Sequence, residues 1–347
     1  MSDAKSVAIS LGASNWDLST SSVDFQKEIV PVLRAHGVGR LDTSRIYGQG
    51  ASESAIGILN LAADFIITTK APGLIPGSGG GDAILAAAKE SFKSLGVEKV
   101  HIYLLHGPDD SVDVAETYSA VQVLYVEGRF DKFGLSNFTP AQVRTFYNYG
   151  KTNNFVVPTV YQSTYSAALR LNETLLFPTL RELGMSIQAY SPLASGFLAK
   201  SAAAFRDSSA SAPEAVTPQT TSENKSLGAR WDPNTFVGRL MRILFEKPEY
   251  LTMLQQWENL AQECGVSQAG LAYRWVRYHS FLDGEKGDEM IVGASSVKQF
   301  EDAMREIEQG PLDAWVVAKI EAMWEGVKDV AEVDNLRAFK LVMGSMA

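Results

Sequence analysis

The sequence predicts an α/β fold, a (β/α)8 TIM-type barrel, on three observations. Short apolar runs alternate with helical patterns along most of the chain, the rhythm of a parallel sheet joined by helical crossovers. Eight such runs can be counted, and eight strands close a sheet of this kind into a barrel. An open doubly wound sheet would carry G-x-G-x-x-G after its first strand, where Leu11-Gly12-Ala13-Ser14-Asn15-Trp16 stands instead.

Ser6–Gly12 opens as a strand, and an amphipathic stretch follows from Val23 to His36. Arg40–Ser44 is the second strand, with a helix pattern from Ser52 to about Leu61. The β-rich run Phe65–Ala71 comes third, followed by an Ala-rich helix over Asp82–Leu95 that Gly96 ends. Val100–His106 is the fourth strand, and Val112–Glu127 is a helix with Gly128 just beyond it. Lys132–Asn137 is the fifth, and Thr139 before Pro140 has the chemistry to cap the next helix. Pro158–Ser163 and Ser186–Ser191 flank a helix at Asn172–Leu183, closed by Gly184. Met290–Ala294 is the eighth strand, and a helix runs from Ser296 to Ile307.

Residues 201–235 break this rhythm, being rich in Ser, Ala, Thr, Pro and Asn, and read as a long polar insertion after strand 7. The tail, residues 311–347, reads as a helical extension whose Trp315 and Trp324 pack inward. The whole chain, 1–347, is therefore expected to form a single barrel domain with these two additions.

Composition excludes several classes. Hydrophobic residues make up 46% of the chain, enough apolar area to exclude disorder as its main state. Cys264 is the one cysteine, so no internal disulfide can form, and a reducing, cytoplasmic location is expected. His36, His101, His106 and His279 show no metal-binding spacing with it, so no metal is expected. The 31 basic and 40 acidic residues give a net charge of −9, which opposes general binding to nucleic acid or anionic membranes. No run reaches the about 18 apolar residues of a spanning helix, and the polar start Met1–Lys5 lacks a signal-peptide core. Nothing in the composition chooses between monomer and dimer.

Catalytic groups in such a barrel sit at the C-terminal ends of the strands. Here those ends offer Asp42 with Tyr47 just beyond, Lys70, His106, Ser136 with Asn137, Gln162, and Tyr190 with Ser191. A lysine ending a strand inside a barrel mouth asks for a carboxylate, and Asp42 on the preceding strand is the nearest. An ammonium beside Tyr47 would favour its phenolate and bring the phenol into range for proton transfer. An imidazole nearby could position a carbonyl oxygen. Together the four form one acid site suited to protonating a carbonyl as hydride arrives from a cofactor.

Ordered blocks at successive strand ends carry a resemblance. They are Leu41-Asp42-Thr43-Ser44-Arg45-Ile46-Tyr47-Gly48, Thr69-Lys70, Leu104-Leu105-His106 and Gly134-Leu135-Ser136-Asn137-Phe138. Tyr161-Gln162, Ala189-Tyr190-Ser191-Pro192-Leu193 and Ile291-Val292-Gly293-Ala294-Ser295 complete the series. The sequence resembles the aldo-keto reductase superfamily from about Ser6 to Ile307, within it the branch of aflatoxin-aldehyde reductases and fungal secondary-metabolism reductases.

The resemblance implies an NADP-dependent oxidoreductase that reduces an aldehyde or ketone, in secondary metabolism or aldehyde detoxification. It makes Tyr47 the proton donor, with Lys70 and Asp42 tuning it and His106 orienting the carbonyl. It gives Asp42, Ser136, Asn137 and Gln162 to the nicotinamide end of NADPH/NADP+, and Tyr190 to stacking on the ring. Ser191, Pro192, Leu193, Ala194, Ser195, Gly196 and Lys200 would wrap the pyrophosphate, and Gly293, Ser295, Gln299 and Asp302 would hold the adenosine. The family's basic grip on the 2′-phosphate is missing from Ser295-Ser296-Val297-Lys298, and Arg230 in the insertion is the nearest substitute. Trp16, Tyr47, His106 and Trp231 are candidate walls of an aromatic pocket for a small-molecule carbonyl substrate. Two other classes compete: a nicotinamide-binding, redox-sensing regulatory subunit with little turnover, and a cofactor-free lyase or isomerase using Lys70 as a Schiff base.

Overall fold

A computed structural model describes residues 6–205, 227 and 229–344. Most of the polar insertion, residues 206–226 and 228, lies outside the described residues. Eight strands, β1 (Ala8–Gly12), β2 (Arg40–Asp42), β3 (Ile66–Ala71), β4 (Val100–Leu105), β5 (Phe130–Ser136), β6 (Val160–Thr164), β7 (Ser186–Tyr190) and β8 (Glu289–Gly293), close a barrel in sequence order. Their pairing is parallel, with β1 against β8 from Ala8↔Glu289 to Gly12↔Gly293 closing the ring. The predicted (β/α)8 barrel is the observed architecture.

Register decides which side chains face the barrel axis, because paired residues in parallel strands share a face. Lys70 pairs with Leu104 and Thr68 with Ile102, so these four share one side. Ile102, Leu104 and Val160 form an apolar cluster there. Gly134 makes room for it: a Cβ would stand 2.4 Å from Leu104 and 2.5 Å from the Val160 carbonyl.

Local signals explain the helices. Thr139 and Gln142 form a reciprocal capping box at the start of Pro140–Asn153. Gly96 ends Gly81–Leu95 at φ 68°, in the left-handed region open to glycine. The helix expected at Asn172–Leu183 is two, Asn172–Leu175 and Phe177–Glu182, with proline in the first turn of the second. Pro178 has no N–H to continue an earlier helix but suits a new start.

The chain gathers into two compact units. One comprises Met1–Ser163, Glu173–Tyr190 and Leu282–Arg305; the other comprises Thr164–Asn172, Ser191–Phe281 and Glu306–Ala347. Within the second are three helices absent from the sequence reading: Phe236–Phe245, Pro248–Cys264 and Gln268–Tyr278. Their starts were marked by Thr235, Pro248 and Ser267, of which the Thr and Ser side chains accept from peptide N–H groups.

The tail is helical as expected, over Ala314–Glu325 and Leu336–Gly344. Its two tryptophans differ, however. Trp324 is buried, with the Arg170 guanidinium 5.7 Å from its ring centre. Trp315 is 41% exposed, so only one of the pair packs inward. Among the described residues, no helix is long and apolar enough to cross a membrane.

Candidate active site

Asp42 ends β2 and Lys70 lies on β3, so adjacent strands bring them together. Lys70 Nζ donates to Asp42 Oδ1 at 2.7 Å and to the Thr43 carbonyl at 2.7 Å. Their side chains are 0% and 5% exposed. Burial pulls the Lys70 pKa down, and the Asp42 charge and hydrogen bond oppose it. Such a pair holds because each charge has lost water and found the other.

Tyr47 follows in a short turn, Tyr47–Gly50, in which Gly48, Gln49 and Gly50 are all left-handed. The Lys70 ammonium lies 5.0 Å from the Tyr47 ring centre. The His106 ring meets Tyr47 edge-on at 5.7 Å and 84°. The four predicted residues therefore converge. Their electrostatics differ from the sequence expectation: burial first, then the Asp42 carboxylate, raise the Tyr47 pKa. The ammonium does not bring the phenol down, because desolvation disfavours phenolate more than one shared cation favours it. Tyr47 is thus a neutral acid in the protein alone.

His106 follows β4, and its Nδ1 lies 2.9 Å from the Ser44 hydroxyl. Burial, with the Lys70 charge second, pushes its pKa down to about 3. The imidazole is neutral at physiological pH.

Sequence reasoning missed the residues that fix this geometry. Besides Ser44, they are Arg45 and Glu53. Arg45 Nη1 pairs with Glu53 Oε2 at 2.8 Å and donates to Ser94 Oγ at 3.0 Å, while Nη2 donates to the Gln49 carbonyl at 3.0 Å. Glu53 is buried and also accepts from Thr69 Oγ1 at 2.6 Å, next to Lys70. Burial raises the Glu53 pKa. The only sequence sign was a glutamate six residues after Tyr47, on the helix Ala51–Ile58.

Other strand ends add amides and hydroxyls. Asn137, left-handed at φ 62°, donates to the His106 carbonyl at 2.8 Å and to Ser136 Oγ at 3.1 Å. Its Oδ1 accepts from the Tyr190 hydroxyl at 3.2 Å, linking the ends of β5 and β7. Gln162 Nε2 donates to Asp42 Oδ2 at 2.7 Å and to Gln188 Oε1 at 3.0 Å. These commitments leave the Gln162 amide oxygen without a hydrogen bond among the described residues, an acceptor of the kind a carboxamide needs.

Gly293 at the end of β8 and Ser295 just beyond it are exposed. Gln299 Oε1 accepts from the Ser295 amide at 2.8 Å and its hydroxyl at 2.9 Å. Asp302 pairs with Lys298 and Arg305, so the lysine nearest this segment already has a partner.

Ser191, Pro192, Leu193, Ala194, Ser195, Gly196, Lys200 and Arg230 belong to the second unit. Ser191, Ala194, Ser195 and Gly196 are all left-handed, strained for the three that carry a Cβ. The Lys200 carbonyl accepts from Gln268 at 3.0 Å. Arg230 is exposed in the turn Ala229–Trp231.

The two tryptophans expected at the substrate pocket are both buried. Trp231 is 2% exposed and enclosed by Phe197, Phe205 and Phe245. Trp16 is 1% exposed, with its indole N–H unpartnered. For Trp231, packing a large ring into an aromatic cluster favours burial over exposure at a rim.

The family profile described as "Aldo/keto reductase family" matches residues 8–325. The chain belongs to the aldo/keto reductase family. It is 39% identical to the "Oxidoreductase sirO" of Leptosphaeria maculans, covering 91% of this chain and 90% of that protein. It is 33% identical to the "Aflatoxin B1 aldehyde reductase member 2" of Rattus norvegicus, over 84% of this chain and 77% of that protein. With the "Aldo-keto reductase pigE" of Monascus ruber it shares 29% identity over 90% of each chain. As an aldo/keto reductase the protein is an oxidoreductase, of a family that generally uses NAD(P)H.

Proposed function

We propose that the protein reduces an aldehyde or ketone to an alcohol, with NADPH as hydride donor and Tyr47 as proton donor. The observation that carries this reading is the buried Lys70–Asp42 pair beside the Tyr47 ring, with neutral His106 edge-on to it. Similarity to aflatoxin B1 aldehyde reductases supports an aldehyde as substrate.

Hydride to the carbonyl carbon is the chemistry that a nicotinamide would contribute when bound. As the C=O π pair becomes an O–H bond, Tyr47 releases its proton to that oxygen. Lys70 stabilises the phenolate left behind, Asp42 keeps the lysine charged and in place, and a proton from solvent restores the phenol. His106 orients the carbonyl oxygen. The net change consumes one carbonyl, one NADPH and one proton.

Asn137, Ser136 and Gln162 would hold the carboxamide, and Tyr190 the face of the ring. The unbonded Gln162 amide oxygen and the strained Asn137 backbone fit that role. The left-handed run within Ser191–Gly196 fits close approach to an anion, with Lys200 following. Gly293, Ser295, Gln299 and Asp302 would take the adenosine, and Arg230 a phosphate.

The test is NADPH consumption with a panel of aldehydes and ketones. Saturable oxidation with stoichiometric alcohol supports the reading. Tight cofactor binding without turnover of any carbonyl contradicts it.

A further inference from the structure

Ser44 is fully enclosed, and among the described residues its hydroxyl has two polar neighbours. One is His106 Nδ1 at 2.9 Å, and the other is the peptide N–H of Ile46 at 3.4 Å. The peptide N–H can only donate, so it takes a lone pair of Ser44 Oγ. The second lone pair of Oγ could accept from an Nδ1–H, but that would leave the enclosed hydroxyl hydrogen without an acceptor, so the hydrogen points to Nδ1. A neutral imidazole that accepts at Nδ1 carries its hydrogen on Nε2.

We propose that Ser44 is a positioning residue that holds His106 as the Nε2–H tautomer, presenting a donor to the substrate carbonyl. The proposal rests on the carbonyl-reductase reading for its consequence, although the tautomer is a property of the protein alone. In the opposite tautomer, Nε2 would carry a lone pair and face the carbonyl oxygen with repulsion. His106 could not then orient the substrate.

The surroundings agree. Nothing ionises His106 into a form with hydrogens on both nitrogens, since burial and the Lys70 charge keep the ring neutral. Tyr47 meets the ring edge-on and leaves Nδ1 to Ser44. The His106 carbonyl is held separately by Asn137, so the backbone stays in place if the Ser44 contact is removed. Loss of the hydroxyl should therefore act on the ring alone.

The test combines ring 15N spectra of histidine-labelled protein with steady-state kinetics, using His106→Gln to assign the His106 signals. The wild type is expected to show a protonated Nε2 and an unprotonated, hydrogen-bonded Nδ1. Ser44→Ala should lose this signature and reduce kcat for a carbonyl substrate about tenfold, roughly the effect of one hydrogen bond. Its NADPH affinity should not change, and Ser44→Thr should restore both the signature and part of the rate. An Nδ1-protonated ring in the wild type overturns the proposal, as does Ser44→Ala with unchanged ring spectrum and rate. A wild type that turns over no carbonyl contradicts the reductase reading, while the ring spectrum still decides the role of Ser44.

Discussion

A Cβ on Gly50 would stand 1.1 Å from Arg45 Nη2, so the guanidinium occupies the space that this glycine leaves open. From there Arg45 reaches buried Glu53 and the Gln49 carbonyl, pinning the turn that presents Tyr47. Gly50→Ala should displace the guanidinium and strain a backbone at φ 96°. It would leave Glu53 without its cation, and loss should reach about 3 kcal/mol, the lower end of the range for a broken buried pair. Urea denaturation measures the loss. Stability within about 0.5 kcal/mol of wild type, the range of an inconsequential surface change, would remove Arg45 from this role.

Lys70→Met should strand the Asp42 carboxylate in the barrel and cost about 3–5 kcal/mol of stability. It also removes the cation that stabilises the Tyr47 phenolate, so reduction should slow by about 10²-fold or more. Any remaining activity should have its basic limb at higher pH, because the phenol loses the Lys70 ammonium beside its ring. Asp42→Asn should act in the same direction but less strongly. A pH–rate profile identical to wild type in both variants would make the pair structural only.

Glu289 gives a pH prediction. It lies at the start of β8, accepts from Gln188, pairs with Arg40 at 3.4 Å, and connects through Gln188 and Gln162 to Asp42. Burial, opposed by Arg40, pushes its pKa up from 4.5 to about 7. The folded protein thus keeps a proton that the unfolded chain releases above 4.5. This contribution to stability is full below that value and falls as pH rises to about 7, by about 3 kcal/mol in all. Glu289→Gln carries no charge and should lack that slope. Denaturation curves of the two proteins across the window should diverge steadily; a constant difference would show that Glu289 does not titrate there.

Arg230→Ala tests the cofactor's phosphates. Among the described residues Arg230 has no ion pair, whereas Lys298 is held by Asp302. NADPH binding should weaken by about 1.5–3 kcal/mol, the range for a hydrogen bond to a charged group. A 2′-phosphate contact would leave NADH binding unchanged, and a pyrophosphate contact would weaken both. Fluorescence titration with each cofactor separates these cases, and unchanged affinity for both removes Arg230.

Strand ends were legible because a barrel strand must be apolar along its length, which makes a polar terminus conspicuous. Asp42, Lys70 and His106 stood out for that reason. Glu289 did not, since a charged residue at the first position of a strand reads as solvated. Only the closed ring shows Glu289 facing inward. Ser44, Arg45 and Glu53 were hidden similarly, as their roles lie in a turn that returns to its own helix. The stretch from Phe236 to Tyr278 lost its helices to the neighbouring insertion, whose composition masked the caps at Thr235 and Ser267. The packing of Trp231 was not legible because its surroundings come from residues distant in sequence.

The central claim is that the Tyr47 hydroxyl gives the proton. Tyr47→Phe removes that oxygen and leaves the Lys70–Asp42 pair intact. The most direct measurement is turnover of a carbonyl substrate by this variant, beside its NADPH affinity by calorimetry. Turnover is predicted to fall by at least about 10²-fold, the usual contribution of a positioned general acid, with cofactor affinity unchanged. A variant that keeps more than about a tenth of wild-type turnover would contradict the account.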